Sequence, residues 1–204
     1  MAKLRLTKNE LKKQKDALNR FVQYLPTLLL KKQQLQAEII KLNNEKDKLK
    51  QEKAYLKAEV FKWVDVFAET RKVEEVISGE KIITERGNIA GVDIPVYVEM
   101  KFKEEDYDLV AEPLWMDQGV EDAKKVMEMN GRIEVLRKQL ALVKEELRIT
   151  TQRVNLFEKI MIPRTRSNIK KIQIYLGDMQ TAAVVTGKIA KDKILKAEEG
   201  KVPA

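Results

Sequence analysis

The sequence contains neither cysteine nor histidine, and these two absences exclude several classes of chemistry. Without cysteine, the chain can form no disulfide and offers no thiol nucleophile. Without histidine, it lacks the commonest general base and the commonest metal ligand. The glycine-rich Walker loop, the HExxH pattern and the nucleophile elbow are missing as well. We therefore expect a protein that is not an enzyme by itself and that binds no cofactor or metal.

Glycine, proline and aromatic residues are scarce. The 204 residues include 8 glycines and 5 prolines, and aromatic residues make up 6% while charged residues make up 35%. This composition is typical of long helices. The first residues lack the apolar core of a signal peptide, and no apolar run approaches the roughly 18–20 residues of a membrane span. We expect a cytoplasmic protein with no direct membrane insertion.

A regular apolar pattern runs through the second half of the chain. Its positions are separated by alternating steps of three and four residues, and ten of the eleven are apolar. They are Val126, Met129, Ile133, Leu136, Leu140, Val143, Leu147, Thr150, Val154, Phe157 and Met161. This 3.5-residue repeat predicts the seam of a coiled coil, which needs a partner helix of similar length.

The same repeat occupies residues 11–67, where thirteen of seventeen positions are apolar. The exceptions are Gln14, Lys32, Lys46 and Lys53. Thr7 and Glu10 have the spacing of a capping box and predict the start of this helix. Pro26 lies inside the pattern and predicts a kink or a break near Tyr24–Leu25.

Turn residues and alternation interrupt the helical pattern in residues 78–119. This stretch holds four of the eight glycines, and apolar side chains alternate with other residues from Ile94 to Phe102. Period-two alternation with β-branched residues predicts a strand. Residues 81–84 are its expected hairpin partner, with the turn around Gly87–Gly91. We expect a small β-hairpin that stands as a satellite of the helices.

Together these patterns predict a mainly α fold, a long antiparallel two-helix coiled-coil hairpin with a small β-hairpin insertion at the turn end. The expected parts are an N-terminal helix over 1–70 with a kink near Pro26, the insertion over 71–119, a C-terminal helix over 120–187 with a kink near Pro163, and a basic, frayed tail over 188–204.

Charge is distributed unevenly along this expected hairpin. The net charge is +8 over residues 1–60, −7 over 61–120 and +7 over 121–204, which gives +8 for the whole chain. The turn end is therefore acidic, while the shaft and the open end are basic. A sign change of this size favours different partners at the two ends.

Two motifs carry a resemblance to a known family. The run Arg153-Val154-Asn155-Leu156-Phe157-Glu158, followed by Ile162-Pro163, resembles the C-terminal signature of the D subunit of V-type and A-type rotary ATPases. The opening segment over residues 6–11 is similar to that family's beginning. Leu156 and Phe157 stand where the family has Ala-Leu, and Gln152 stands where it often has a second arginine.

The resemblance implies a central-stalk rotor subunit of an ATPase or ATP synthase. Such a subunit couples ATP hydrolysis or synthesis in the catalytic ring to ion translocation through the membrane ring. The implied partners are the catalytic A and B subunits around the chain termini, the F subunit along the shaft, and a membrane-ring adaptor subunit at the acidic turn end.

Seven polar residues are candidate partner contacts. Three belong to the motif and four are basic residues near Pro163, where the chain would enter the catalytic ring: Arg153, Asn155, Glu158, Arg164, Arg166, Lys170 and Lys171. Arginine suits contacts with acidic loops because its guanidinium forms bidentate, charge-assisted bonds to carboxylates.

Two other functions are compatible with paired helices. A prefoldin-like chaperone subunit also joins two helices through β-hairpins, but its chains are usually shorter and lack the motif over residues 153–163. A nucleic-acid-binding coiled-coil arm would use the basic shaft. However, lysine and arginine are scattered without an aromatic stacking platform, so we expect no nucleic-acid partner.

Overall fold

The computed structural model describes residues 4–64, 77–104 and 116–199. In chain order, the elements are helix α1 (Lys8–Val64), strands β1 (Ile77–Ile89) and β2 (Val92–Glu104), helix α2 (Met116–Asn155), a π-helical segment (Leu156–Met161) and helix α3 (Ile162–Glu199). This mainly helical chain with one antiparallel strand pair confirms the predicted fold class. Residues 65–76 and 105–115, which include much of the predicted acidic region, lie outside the described residues.

The chain divides into two compact units. One combines Met1–Leu29 with Gln152–Ala204, and the other consists of Leu30–Thr151. We call them the terminal unit and the central unit. Each contains a segment of α1 together with a later helical segment, so the seam predicted from the sequence can be followed within each unit separately.

Helix α1 begins at the capping residue that the sequence indicates. The Thr7 hydroxyl accepts a hydrogen bond from the Glu10 backbone N–H at 3.2 Å. The Glu10 carboxylate does not return to Thr7 as in a full capping box, because it accepts a bond from the Gln14 side-chain amide at 2.8 Å. One half of the predicted capping box is therefore formed.

Helix α1 continues through Pro26, so the predicted break near Tyr24–Leu25 is wrong. Proline has no N–H, and the carbonyl four residues earlier therefore loses its helical donor. The Thr27 hydroxyl donates to the Tyr24 carbonyl at 2.8 Å next to the proline. The side chains on the packed face of α1 keep their spacing on both sides of Pro26, and this packing favours one continuous helix over a break.

Antiparallel pairing in the terminal unit is defined by two contacts. The rings of Phe21 and Phe157 lie with their centroids 5.2 Å apart and their planes tilted by 44°. The side-chain amide of Asn168 donates to the side-chain oxygen of Gln14 at 3.4 Å. From Gln14 to Phe21 along α1, the contacted residue changes from Asn168 back to Phe157. The two segments therefore run in opposite directions. Tilted aromatic pairs at this distance contribute about 0.5–1.5 kcal/mol beyond their burial.

The central unit has the best-packed part of the seam. Leu35 and Leu42 of α1 form one buried cluster with Leu136, Leu140 and Val143 of α2. Fully burying each of these side chains contributes about 1.5–3 kcal/mol. An ion pair between the Lys31 ammonium and the Glu146 carboxylate, at 2.7 Å, bridges the two helices. None of the described seam positions in either predicted stripe is exposed.

The β-hairpin turns at the site that the sequence predicts. Ala90 and Gly91 both have positive φ, at 51° and 78°, and they connect the paired residues Ile89 and Val92. Two residues with positive φ are typical of a type I′ turn, whose twist matches that of the strands. The Asn88 side chain closes the turn, because its oxygen accepts the Gly91 N–H at 3.0 Å.

The hairpin is not a separate satellite of the helices. Ile94 of β2 belongs to the same buried cluster as Leu35 and Leu140. The Gln139 amide donates to the Pro95 carbonyl at 2.6 Å, and the Arg132 guanidinium lies 5.4 Å from the centre of the Tyr97 ring. The hairpin is therefore part of the core of the central unit.

Gly131 permits this close approach. A Cβ atom at this position of α2 would lie 3.3 Å from the Tyr97 ring and 3.6 Å from side-chain atoms of Ile82 and Met100. Burial against α2 also raises the pKa of the Tyr97 phenol, an effect that Glu128 strengthens and Arg132 opposes. A glycine in the middle of a long helix is explained here by the contact with the hairpin.

The seam changes phase by one residue near Pro163. Up to the π-helical segment the packed side includes Val154, Phe157 and Met161, which are buried or half-buried. If the same steps of three and four residues continued, Arg164 and Lys171 would also lie on the packed side. Both are exposed. The buried or half-buried apolar positions that follow, with Thr165, are instead Ile162, Ile169, Ile172 and Leu176, while Asn168 remains half-buried beside Gln14.

The π-helical segment accounts for this shift. Its hydrogen bonding spans five residues, as shown by the bond from the Ile162 N–H to the Phe157 carbonyl. A π turn holds one more residue than an α turn, so it absorbs one residue and returns the following apolar side chains to the seam. The structure thus has a π-helical segment where the sequence predicts a kink near Pro163. Residues 188–199, for which the sequence predicts a frayed tail, continue α3.

We expect Gly131→Val to destabilise the protein by about 1–3 kcal/mol, because a branched side chain would overpack the contact with Tyr97. Thermal unfolding followed by far-UV circular dichroism would measure the loss. The control is Gly177→Val in α3, where an added Cβ meets no atom within 4 Å. That variant should be neutral or slightly more stable because valine is a better helix former than glycine. Equal losses at both positions would contradict the docking of the hairpin on α2.

We expect deletion of Lys159 to leave the fold and the melting temperature nearly unchanged. Removing one residue converts the π turn into an α turn and makes the seam continuous through Pro163. Deletion of the exposed Lys48 is the control, because α1 has no π turn there. That deletion rotates one part of α1 by about 100° relative to the other and misaligns the seam. If both deletions lower the melting temperature equally, the π-helical segment does not correct the phase.

Candidate functional site

The seven predicted contact residues are all exposed on helices. Arg153 and Asn155 end α2, Glu158 lies in the π-helical segment, and the others lie in α3: Arg164, Arg166, Lys170 and Lys171. Within the described part of the chain, none of the seven takes part in an ion pair. Their charged and polar groups are therefore available to another molecule.

The motif over residues 153–158 divides into two sides. Val154 is buried with 2% of its surface exposed, and Phe157 packs against Phe21. Arg153, Asn155 and Glu158 point away from the packed side and are exposed. Val154 and Phe157 hold the helix pair together, while the polar members and Leu156 form an outward surface.

The four basic residues of α3 do not share one face. Arg164 and Lys171 are seven residues apart, and Arg166 and Lys170 are four apart, so each pair lies on one side of the helix. At about 100° per residue, the two pairs point about 130° apart on the exposed side of α3. The basic cluster expected from the sequence is therefore two separate basic flanks, which border the packed face with Thr165 and Ile172 on its two sides.

A second surface on α3 was not singled out by the sequence analysis. From Met179 to Ala190 the only charged residue is Lys188. Seven large apolar side chains between residues 174 and 195 are about half exposed: Ile174, Met179, Val184, Val185, Ile189, Ile194 and Leu195. At 100° per residue they are distributed around the helix rather than along one stripe. We call residues 174–195 the apolar end of α3.

The apolar end of α3 has the character of a buried helix. Soluble helices that are apolar on all sides normally lie inside a larger structure, and large exposed apolar surfaces mark interaction sites. Small residues such as Ala182, Ala183 and Gly187 keep this helix narrow. The low charge of residues 179–190 is the feature of the sequence that indicates this surface. A search for one apolar stripe does not detect it, because the apolar residues are distributed around the helix.

The described residues contain no group of three or more His, Cys, Asp or Glu side chains that could hold a metal ion. No helix in the described ranges is both long enough and apolar enough to cross a membrane. The surfaces that remain as functional candidates are thus the outward motif residues, the two basic flanks and the apolar end of α3.

Comparison with known proteins agrees with the resemblance seen in the motif. The sequence profile of the family described as the D subunit of ATP synthase matches residues 10–192. The chain is 48% identical over 196 residues to the D subunit of the V-type ATP synthase of Borreliella burgdorferi, covering 96% of this chain and 97% of that protein. It is 36% identical over 196 residues to the corresponding protein of Chlamydia pneumoniae, with coverages of 94% and 93%.

The D subunit of the V-type ATP synthase of Chlamydia trachomatis serovar L2 is 35% identical over 204 residues, which cover 97% of this chain and 99% of that protein. The matches extend over both helical regions and the hairpin, not over the motif alone. With a family profile and relatives that cover nearly the whole sequence, the chain belongs to the D-subunit family of ATP synthases.

Proposed function

We propose that this chain is the central-stalk rotor subunit of a V/A-type ATPase or ATP synthase. It couples ATP hydrolysis or synthesis in the catalytic ring to ion translocation through the membrane ring, and it carries no catalytic residue itself. Family membership supports this role over a prefoldin-like chaperone or a nucleic-acid-binding arm. The structural observation that carries the proposal is the apolar end of α3, which is exposed on all sides.

The apolar end of α3 supports an axle that turns inside a surrounding ring. A helix that rotates against several equivalent partners must present a similar surface in every direction, and the exposed apolar side chains between Met179 and Ile189 are distributed around α3 with Lys188 as the one charged residue of that stretch. Charged side chains would form ion pairs at particular angles and would resist rotation there. We therefore place the catalytic A and B subunits around this part of α3.

Torque requires that the paired helices do not slide or separate. In the terminal unit this requirement is met by the antiparallel contacts Phe21–Phe157 and Gln14–Asn168. In the central unit it is met by the leucine cluster and the Lys31–Glu146 pair. Closely packed apolar cores have low compressibility and transmit strain.

The remaining partners are those that the family implies, and the acidic region agrees with a separate partner at the turn end. We place the F subunit along the paired helices, and a membrane-ring adaptor subunit at the acidic region over residues 61–120, whose net charge is −7. The assembled protein is then peripheral to the membrane, on its cytoplasmic side. Arg153, Asn155 and Glu158 are contacts to the surrounding ring, together with the two basic flanks.

We expect Val185→Asp combined with Ile189→Asp to prevent stable insertion into a ring of purified A and B subunits, because two carboxylates would enter an apolar bearing. Size-exclusion chromatography would measure retention of the chain by the ring. The control replaces Ile40 and Tyr55 of α1, which are also exposed, by aspartate. Helical content should be unchanged in both variants. Full retention of the α3 variant would overturn the proposed bearing.

We expect the two basic flanks to act separately. Arg164→Gln with Lys171→Gln, or Arg166→Gln with Lys170→Gln, should each slow ATP turnover less than the four substitutions together. Exposed ion pairs contribute roughly 0–1 kcal/mol each and weaken with added salt. Turnover of the reconstituted complex at low and high salt would measure the effect, with Lys48→Gln and Lys57→Gln as the control. Unchanged turnover of the fourfold variant at low salt would show that the flanks take no part in rotation.

A further inference from the structure

A cleft in the central unit is not explained by the rotor function. It lies where α1, the β-hairpin and α2 meet, and it has a volume of about 570 Å³. Ile82, Met100 and Met127 contribute to an apolar floor. Three basic residues and one acidic residue, Glu134, line it as well. An open cleft of this size, with apolar side chains beside a few charged groups, can receive a segment of another molecule.

The basic residues of the cleft are held only loosely by their own neighbours. The Lys50 ammonium lies 3.9 Å from the Asp47 carboxylate, and the Arg137 guanidinium lies 3.7 Å from that of Glu134. Both distances exceed the 2.7–3.2 Å of an N–H···O hydrogen bond. Their donors therefore remain available to a further acceptor, unlike those of an exposed pair such as Arg148 and Glu145, at 2.6 Å.

Lys53 is the third basic residue of the cleft and occupies a seam position of α1. It is half-buried, and within the described residues it has no acidic partner. A lysine in a coiled-coil seam weakens the pairing of the helices. The other seam lysine near the cleft, Lys46, differs because its ammonium donates to the Asn43 side chain at 2.9 Å.

We propose that the cleft receives an acidic segment of another subunit of the ATPase, in which an aspartate or glutamate stands beside a bulky apolar side chain. The carboxylate accepts charge-assisted hydrogen bonds from Arg137 and Lys53, and the apolar side chain packs on Met100 and Met127. Methionine side chains adapt well to such a partner. This inference rests on the proposed function, because the partner is taken from the same complex.

The test uses the whole ATPase complex with a photo-crosslinking p-benzoylphenylalanine at Asn130, an exposed residue of α2 that lines the cleft. Mass spectrometry identifies the crosslinked peptide. We expect a segment of another subunit that contains Asp or Glu beside an apolar residue. The same probe at Lys138, which does not line the cleft, is the position control and should not give that peptide.

A charge-reversed variant tests the role of the basic residues. Lys53→Glu combined with Arg137→Glu should lower the yield of the Asn130 crosslink about tenfold or more, since charge-assisted bonds are lost and a like charge is introduced. Lys48→Glu with Lys144→Glu makes the same change of charge on the same helices outside the cleft. That control should keep the yield, and circular dichroism should show that both variants are folded.

Several results would overturn the proposal. They are a crosslink confined to this chain, a crosslink to a second copy of it, a neutral or basic partner segment, or a yield that the charge reversal does not change. Failure of the rotor function gives a different result. In that case the unsubstituted chain does not copurify with ATPase subunits at all, whereas failure of the cleft proposal alone leaves the complex assembled.

Discussion

Burial of an apolar seam is the constraint on which the rest of this structure depends. Helix α1 has 57 residues. Among its residues whose burial the structure describes, the seam is the apolar face that is continuously covered. In proteins, the stability of a helix comes mainly from packing an amphipathic face. The hairpin docks beside the seam, the π-helical segment keeps its phase, and Thr150 is buried in it although its hydroxyl has no partner within the described residues.

The seam could be predicted from the sequence because helical periodicity is local. A side chain's place on the 3.5-residue grid depends only on its neighbours along the chain, so Leu35, Leu42 and Leu140 could be identified as core residues. The docking of the hairpin could not be predicted in this way. Val135 and Gln139 are buried although they lie off the grid, and the partner of Gln139 comes from β2. Gly131 in the middle of a long helix was the one local sign of that contact.

The two prolines show that a local rule leaves several outcomes open. A proline is expected to kink or break a helix because it removes a hydrogen bond and crowds the preceding turn. At Pro26 the packed side chains on both sides of the proline hold α1 as one helix, so the chain does not break there. Next to Pro163 the chain forms a π turn, and the reason lies in the spacing of apolar residues before and after it. The exposed apolar side chains of α3 beyond residue 174 could not be found from periodicity either, because they are distributed around the helix and form no single stripe.

The order in which these contacts can form has a consequence for synthesis of the protein. The Gln139–Pro95 bond joins residues 44 apart, whereas the Lys31–Glu146 pair joins residues 115 apart. Shorter loops close at a lower entropic cost, so the hairpin and α2 can assemble first and present a surface to α1.

However, α1 leaves the ribosome long before α2. At about 5–20 residues per second, its leucine stripe waits several seconds or more for its partner. The nascent chain therefore exposes an apolar stripe during that interval, and exposed apolar surface of this kind promotes misassembly between neighbouring chains.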